Sequence, residues 1–315
     1  MEYRKLGRSG LKVSEIALGS WLTYGQTVDE EAATQIIHKA FELGINLFDT
    51  ANVYAAGAAE KIVGKALREL PRDEYVLATK CFFPMGPKPN QSGLSRKHIH
   101  DQAEASLRRL GLDYIDLYQA HRFDNDTPLD ETLRAFDDLV RAGKVRYVGV
   151  SSWMANQMIE AHAVAERLML DQIVSHQPMY NMFNRSIEKD IIPTCETLGI
   201  GQIVYGPLAQ GTLTGKYAGG KIPQGSRASE PEKQGKFMAK YLTEENHKRV
   251  EYLRPIAAEL DMTMAQLALA WCLRQENLSA VICGATKPTQ IEDNSAAAGK
   301  KIPPDTLNRI DEILS

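Results

Sequence analysis

A phrase that recurs along the chain constrains the fold more than anything else in it: a helix stops at glycine and an apolar strand begins almost at once. It occurs as FELGINLFDT (41–50), LRRLGLDYIDLY (107–118), VRAGKVRYVGVS (140–151) and ETLGIGQIVYGP (196–207). Glycine accepts the left-handed conformation that ends a helix without a Cβ clash. The β-branched and aromatic run behind it reads as a strand buried on both faces. Counting such runs gives about eight strands, near 15–20, 46–49, 75–80, 114–119, 145–150, 172–175, 201–205 and 279–283. Strands alternating with helices call for parallel pairing and right-handed crossovers. Eight units favour a closed (β/α)8 TIM barrel, class α/β, over an open doubly wound sheet.

Amphipathic helices fill the intervals. Residues 28–43 place Ala33, Ile36, Ile37, Ala40 and Phe41 at three-to-four spacing, with Thr27 and Glu30 as a capping box. Residues 96–110 repeat the design with Ile99, Ala103, Leu107 and Leu110 after Ser95. Residues 128–142 open with Pro128 as the first helical residue and bury Leu133, Phe136 and Val140. Residues 2–13 read as a hairpin capping the barrel floor, and a last helix spans about 304–314. From Leu208 to about Leu242 the chain is rich in Gly, Lys, Ser and Pro, a length that marks a lid or binding loop. No linker interrupts the 315 residues, which predicts a single domain over 1–315.

The balance of charges excludes some functions. A net charge of -3 with pI near 6.2 gives no basic face for nucleic acid or an anionic membrane. No apolar run approaches a membrane span, and MEYRKLGRSG carries no secretory core, so no membrane insertion and a cytoplasmic location are expected. Cys81, Cys195, Cys272 and Cys283 have neither C-x-x-C nor metal spacing and read as reduced, buried thiols, with no metal site. His38, His98, His100, His162, His176 and His247 read as solvated or structural.

Three strands end on ionisable groups. NLFDTANVY supplies Asp49 and Tyr54, YVLATK supplies Lys80, and YIDLYQAH supplies His121. A parallel barrel delivers such side chains to one rim. Taken singly, Asp49 also reads as a helix cap, Tyr54 as a packing aromatic and His121 as a structural residue. Four groups on three consecutive strand ends, one of them a lysine behind an apolar run, turn the reading to function. A lysine beside a tyrosine favours the phenolate and lowers a pKa that starts near 10, while the aspartate keeps the lysine charged. Such a set suits protonation of a carbonyl oxygen while hydride arrives from elsewhere.

Taken together, DTANVYAAGAAE, ATK, LGLDYIDLYQAH, GKVRYVGVSS, VSHQPMYNMFNR, PLAQGTLTGKY and GATKPTQIEDN resemble the aldo-keto reductase superfamily over roughly residues 5–310. VYAAGAAE, GLSRKHI, GSRAS and LALAWCLR look closest to its branch of potassium-channel β subunits and their bacterial and plant reductase relatives. The resemblance implies a barrel that binds NADPH/NADP+ without a Rossmann fold, and no G-x-G-x-x-G follows a strand. It implies Asp49, Tyr54, Lys80 and His121 as the catalytic tetrad. Ser151, Ser152 and Gln177 are then expected at the nicotinamide carboxamide, and Tyr205 on its ring. Gly206, Pro207, Leu208, Gln210 and Gly211, with Lys216 and Arg227, are expected around the pyrophosphate and ribose. Gly284, Thr286, Lys287, Gln290, Asp293 and Asn294 are expected at the adenosine end, and Trp21 and Gln26 as further cofactor contacts. Thr286 and Lys287 precede a helix opened by Pro288, a phosphate position in barrels, where a cation favours the 2′-phosphate of NADPH.

The sequence departs from its relatives at three points. His121 stands where the channel subunits have Asn, Ser152 where many reductases have Asn, and Gly206 where relatives usually have Ser. The leading expectation is NADPH-dependent reduction of aldehydes, and of some ketones, acting on a small carbonyl substrate. The rival is a redox-sensing regulatory subunit that binds NADPH with little turnover; His121 and the short stretch before the barrel speak against it. A third is a barrel for another phosphate-bearing ligand. Tetramers occur in the resembled branch, so a homo-oligomer is possible. Phe82, Phe83, Met85, Trp153 and Met182 are candidates for the carbonyl pocket.

Overall fold

A computed structural model describes residues 1–224, 226–229 and 238–315. Residues 225 and 230–237, within the expected long loop, lie outside the described residues. The chain opens with an antiparallel hairpin, β1 (Tyr3–Lys5) and β2 (Lys12–Ser14). Eight parallel strands follow: β3 (Ile16–Gly19), β4 (Leu47–Asp49), β5 (Val76–Cys81), β6 (Ile115–Ala120), β7 (Val145–Ser151), β8 (Ile173–Gln177), β9 (Gly201–Tyr205) and β10 (Leu278–Cys283). β10 pairs with both β9 and β3, which closes the barrel.

Helices α1 (Glu30–Glu42), α2 (Ala58–Leu67), α3 (Arg96–Leu110), α4 (Leu129–Arg141), α5 (Ala155–Leu168) and α6 (Ile191–Leu198) carry the chain between successive strands up to β9. α7 (Glu244–Glu259) and α8 (Met264–Leu273) separate β9 from β10, and α9 (Pro288–Ser295) and α10 (Pro304–Leu314) follow it. The apolar faces are where the spacing puts them: Ala33, Ile36, Ile37 and Ala40 of α1, and Ile99, Ala103, Leu107 and Leu110 of α3, are buried. Val140 of α4 is half-buried, whereas Leu133 and Phe136 are buried.

Two helix starts differ from expectation. α1 is capped by Asp29, whose side chain accepts from Ala32 N, rather than by Thr27; a carboxylate at that position also suits the helix dipole. Thr27 instead donates to Leu22 O within the preceding turn. Pro128 is the extended residue before α4 (ψ 132°), not its first helical one.

Alternation along the strands positions the site. One parity packs the barrel interior, with Leu47, Val76, Ala78, Leu117, Ile203, Ala280 and Ile282 among its residues. The same two-residue step carries Asp49 above Leu47, Lys80 above Ala78, Tyr205 above Ile203, and His121 two steps above Leu117. The opposite parity, with Phe48, Leu77 and Val204, packs outward against the helices.

The hairpin closes the floor. Arg4 donates to the carbonyls of Leu273 (2.9 Å) and Leu278 (2.8 Å) and pairs with Glu15 at 2.6 Å. The backbone of Gly7 lies so close to Gly201 that a Cβ there would stand 2.2 Å from the Gly7 nitrogen, which excludes any side chain.

Candidate active site

Four strand ends converge on one carboxylate. Lys80 Nζ donates to Asp49 Oδ1 at 2.6 Å and to Thr50 O at 2.7 Å, and it lies 3.4 Å from the Tyr54 hydroxyl. These three acceptors match the three N–H bonds of an ammonium group. Asp49 Oδ2 accepts from Gln177 Nε2 at 2.9 Å and more distantly from Gln119 Nε2 at 3.5 Å. Lys80 is wholly buried and Asp49 nearly so, 0% and 5% exposed, so the pair interacts with little solvent screening.

Tyr54 enters from the loop after β4, and the backbone there is forced. Ala55 and Ala56 follow it at φ 48° and 51°, a left-handed pair of non-glycine residues. His121 meets the Tyr54 ring edge-on at 5.7 Å and the Phe83 ring at 4.9 Å. Its Nδ1 is buried and has no hydrogen-bond partner among the described residues.

Burial dominates the ionisation of all three groups. It pushes the Tyr54 phenol well above its usual value, with the Asp49 carboxylate adding to the shift. The expectation that Lys80 lowers this pKa therefore fails, because desolvation of a phenolate outweighs a neighbouring ammonium already paired with Asp49. Burial likewise lowers Lys80, opposed by Asp49, and holds His121 well below 6.5 with help from the charges of Lys80 and Arg122. The resting site is a neutral phenol beside a neutral imidazole.

These groups open onto a cavity of about 800 Å³. It reaches from Tyr54, His121 and Phe83 past Ser151, Gln177 and Tyr205 to the segment after β9, and on to the end of β10. Of the residues expected there, Trp21, Gln26, Asp49, Ser151, Gln177, Tyr205, Gly206, Pro207, Leu208, Gln210, Gly211, Lys216, Arg227, Gly284, Thr286, Gln290, Asp293 and Asn294 line it. Two do not. Ser152 turns away at φ 55°, its backbone N–H donating to Gln177 O, and Lys287 stands exposed before α9. Of the five residues expected at the carbonyl pocket only Phe83 lines the cavity; Trp153 packs against Phe123 (4.8 Å) and Met182 lies in the core.

Local backbone explains several placements. Gly206 adopts φ 70° and offers its carbonyl to Asn181, a conformation that serine would strain. Ala209, Gln210 and Gly211 all have positive φ, and Lys216 lies over Gly211, where a Cβ would come within 3.0 Å of its ammonium. Arg227 binds the Gln210 side chain and reaches within 3.6 Å of where a Gly284 Cβ would stand, so it spans from the loop to the end of β10. Asp293 is fixed from α8 by Thr263 (3.2 Å) and Gln266 (2.7 Å), the two halves of a capping box. That T-x-x-Q signature was legible in the sequence. Thr23, Thr263 and Arg122 also line the cavity, and only the packing brings them there.

The site's free acceptors and its cations suit a nicotinamide dinucleotide. Ser151 Oγ donates to Gln177 O at 2.9 Å, which leaves its lone pairs to accept. Gln177 spends its amide nitrogen on Asp49, and its Oε1 has no hydrogen bond among the described residues. Two cations stand over glycines where phosphates need close backbone approach. Such a barrel, with its ionisable groups gathered at the C-terminal rim, has the build of a barrel enzyme.

The sequence profile of the Aldo/keto reductase family matches residues 15–315, and the chain belongs to that family. It is 43% identical to a probable voltage-gated potassium channel subunit beta of Arabidopsis thaliana, covering 100% of this chain and 97% of the relative. A protein of the same description from Oryza sativa is 42% identical with the same coverage. A putative voltage-gated potassium channel subunit beta of Schizosaccharomyces pombe is 45% identical over 99% of this chain and 93% of its own length. The branch that the sequence resembles is the one these relatives occupy.

Proposed function

We propose that the protein is an NADPH-dependent carbonyl reductase acting on aldehydes, and on some ketones, in the cytoplasm. The observation that carries this reading is the Tyr54–Lys80–Asp49 chain, with hydrogen-bond distances of 3.4 and 2.6 Å, opening beside His121 onto the cavity. When bound, the reduced cofactor supplies hydride. Ser151, Gln177 and Tyr205 hold its nicotinamide end, Lys216 and Arg227 its phosphates, and Asp293 and Asn294 its adenosine end. Arg227, rather than Lys287, then favours the 2′-phosphate.

The carbonyl oxygen of the substrate lies against Tyr54 and His121. The neutral imidazole donates a hydrogen bond and orients it, and Tyr54 gives up its phenolic proton as negative charge develops. Lys80 holds the resulting phenolate, and Asp49 holds Lys80. A phenol whose pKa is raised keeps its proton until the oxygen it faces becomes more basic than phenolate, which couples protonation to hydride arrival.

The test is NADPH oxidation with nitrobenzaldehydes, methylglyoxal and glyceraldehyde. Tyr54→Phe, which keeps the ring and removes the proton, is expected to lower kcat by about 10²–10⁴-fold with NADPH binding retained. A wild-type protein that binds NADPH and is no faster than Tyr54→Phe would overturn the reading. The names of the relatives, potassium channel subunits beta, favour a second reading, a redox-sensing regulatory subunit of a channel, which would bind NADPH with little turnover. Co-purification with a membrane channel, together with that inert behaviour, would favour it.

A further inference from the structure

Arginine is strongly hydrated, and a chain that removes one from water normally supplies a carboxylate. Most of the described half-buried arginines obey this. Arg4, Arg72, Arg109, Arg185, Arg249 and Arg274 each have a carboxylate within 4 Å. Among the described residues, two half-buried arginines have none: Arg122 and Arg227, and both line the cavity. Arg227 stands over Gly284 and Gln210, the end proposed above for the cofactor. Arg122 lies at the other end, directly after His121. One guanidinium nitrogen donates to His121 O at 2.5 Å, and the group sits 5.4 Å from the centre of the Phe83 ring, itself edge-on to His121. The ring and the carbonyl hold the side chain beside the site, and the rest of its five-donor fork has no protein partner among the described residues.

We infer that Arg122 is a substrate-recognition residue and that the preferred substrates are small aldehydes bearing a carboxylate. The inference rests on the reductase reading and adds the class of substrate. A planar guanidinium pairs with a carboxylate through two parallel hydrogen bonds, so one arginine suffices for a singly charged planar anion. A phosphate ester, carrying nearly two charges, would call for a second cation, and no other Lys or Arg lines this end among the described residues. The neighbouring Phe83 offers its face to the carbon chain or ring between carboxylate and aldehyde. The arrangement sets the carbonyl toward Tyr54 and His121 by holding the opposite end of the molecule.

The experiment compares 4-carboxybenzaldehyde with 4-methylbenzaldehyde, similar in size and different in charge, using NADPH and the full chain. The wild type is expected to favour the carboxylated aldehyde about tenfold or more in kcat/KM. Arg122→Met should erase that ratio mainly through KM, and Arg122→Lys should keep part of it. A wild type without preference overturns the inference, as does a variant that loses both substrates in equal proportion, the mark of a structural role. A parallel arm needs no turnover: benzoate against its neutral isostere benzamide, followed by the fluorescence of Trp21, which lines the same cavity. If neither aldehyde is reduced, the reductase reading fails and this arm decides alone. Benzoate preferred by the wild type and not by Arg122→Met supports the inference, and equal binding of the two overturns it.

Discussion

Lys80 and Asp49 are worth more together than apart. Both are buried at 2.6 Å, so removing one leaves the other as an unpaired charge in a medium that cannot solvate it. Lys80→Met is expected to cost on the order of 3–5 kcal/mol of stability as well as activity. Adding Asp49→Asn should return much of the stability and none of the activity, a cycle readable from urea midpoints and NADPH oxidation. If the double variant is no more stable than the single, the buried charge is not the cause. Their neighbours Tyr54 and His121 set the pH response of turnover on the acid and neutral side. Tyr54 is held well above 10 and His121 well below 6.5, so neither changes protonation between those limits. A plot of kcat/KM against pH should run flat through neutrality and fall only on the alkaline side, where Lys80, lowered by burial, loses its proton; a break near 7 that disappears in Tyr54→Phe or His121→Asn would contradict the assignment.

Among the elements, the loop that carries Tyr54 holds two consecutive alanines in left-handed backbone. Two alanines in left-handed conformation cost roughly 1–2 kcal/mol each relative to glycine, partly offset by the entropy glycine loses on folding. Ala56 is exposed and its backbone N–H already bonds Val53 O, so Ala56→Gly should raise stability by about 0.5–1 kcal/mol without moving Tyr54. A chemical-denaturation midpoint that falls instead would show that the methyl group makes contacts that matter. Regular elements were legible because their signals are local: glycine after a helix, an apolar run, a three-to-four spacing. The cap of α1 escaped because Thr27 and Asp29 are both competent there, and only the path of the preceding turn selects Asp29. Strand-end residues such as Lys80 and His121 could be found from their own runs. Arg122 could not be distinguished from any surface arginine, since its significance is a missing partner, and a missing partner is a property of packing. Ser152 and Lys287 show the converse, adjacency in sequence to residues that line the cavity without a share in it.

At the scale of the molecule, a buried histidine makes stability depend on acid. His176 is fully enclosed at the end of β8, and burial lowers its pKa to about 3. The unfolded chain takes up a proton near 6.5 and the folded one does not until about 3, so stability falls as pH drops through that window. By pH 5 this amounts to about 2 kcal/mol from one residue. His176→Gln, uncharged throughout, should narrow the difference in unfolding free energy between pH 7 and pH 5 by that amount; an unchanged difference would move the acid sensitivity elsewhere. The organisation is otherwise divided by height, with the hairpin locking the base through Arg4 and the reactive groups at the opposite rim. One group joins the two halves of the rim: Asp49 on β4 takes hydrogen bonds from β5, β6 and β8 at once. A keystone shared by so many staves means that chemical competence doubles as a proofreader of assembly. A barrel closed one residue out of step would be inert rather than indiscriminate.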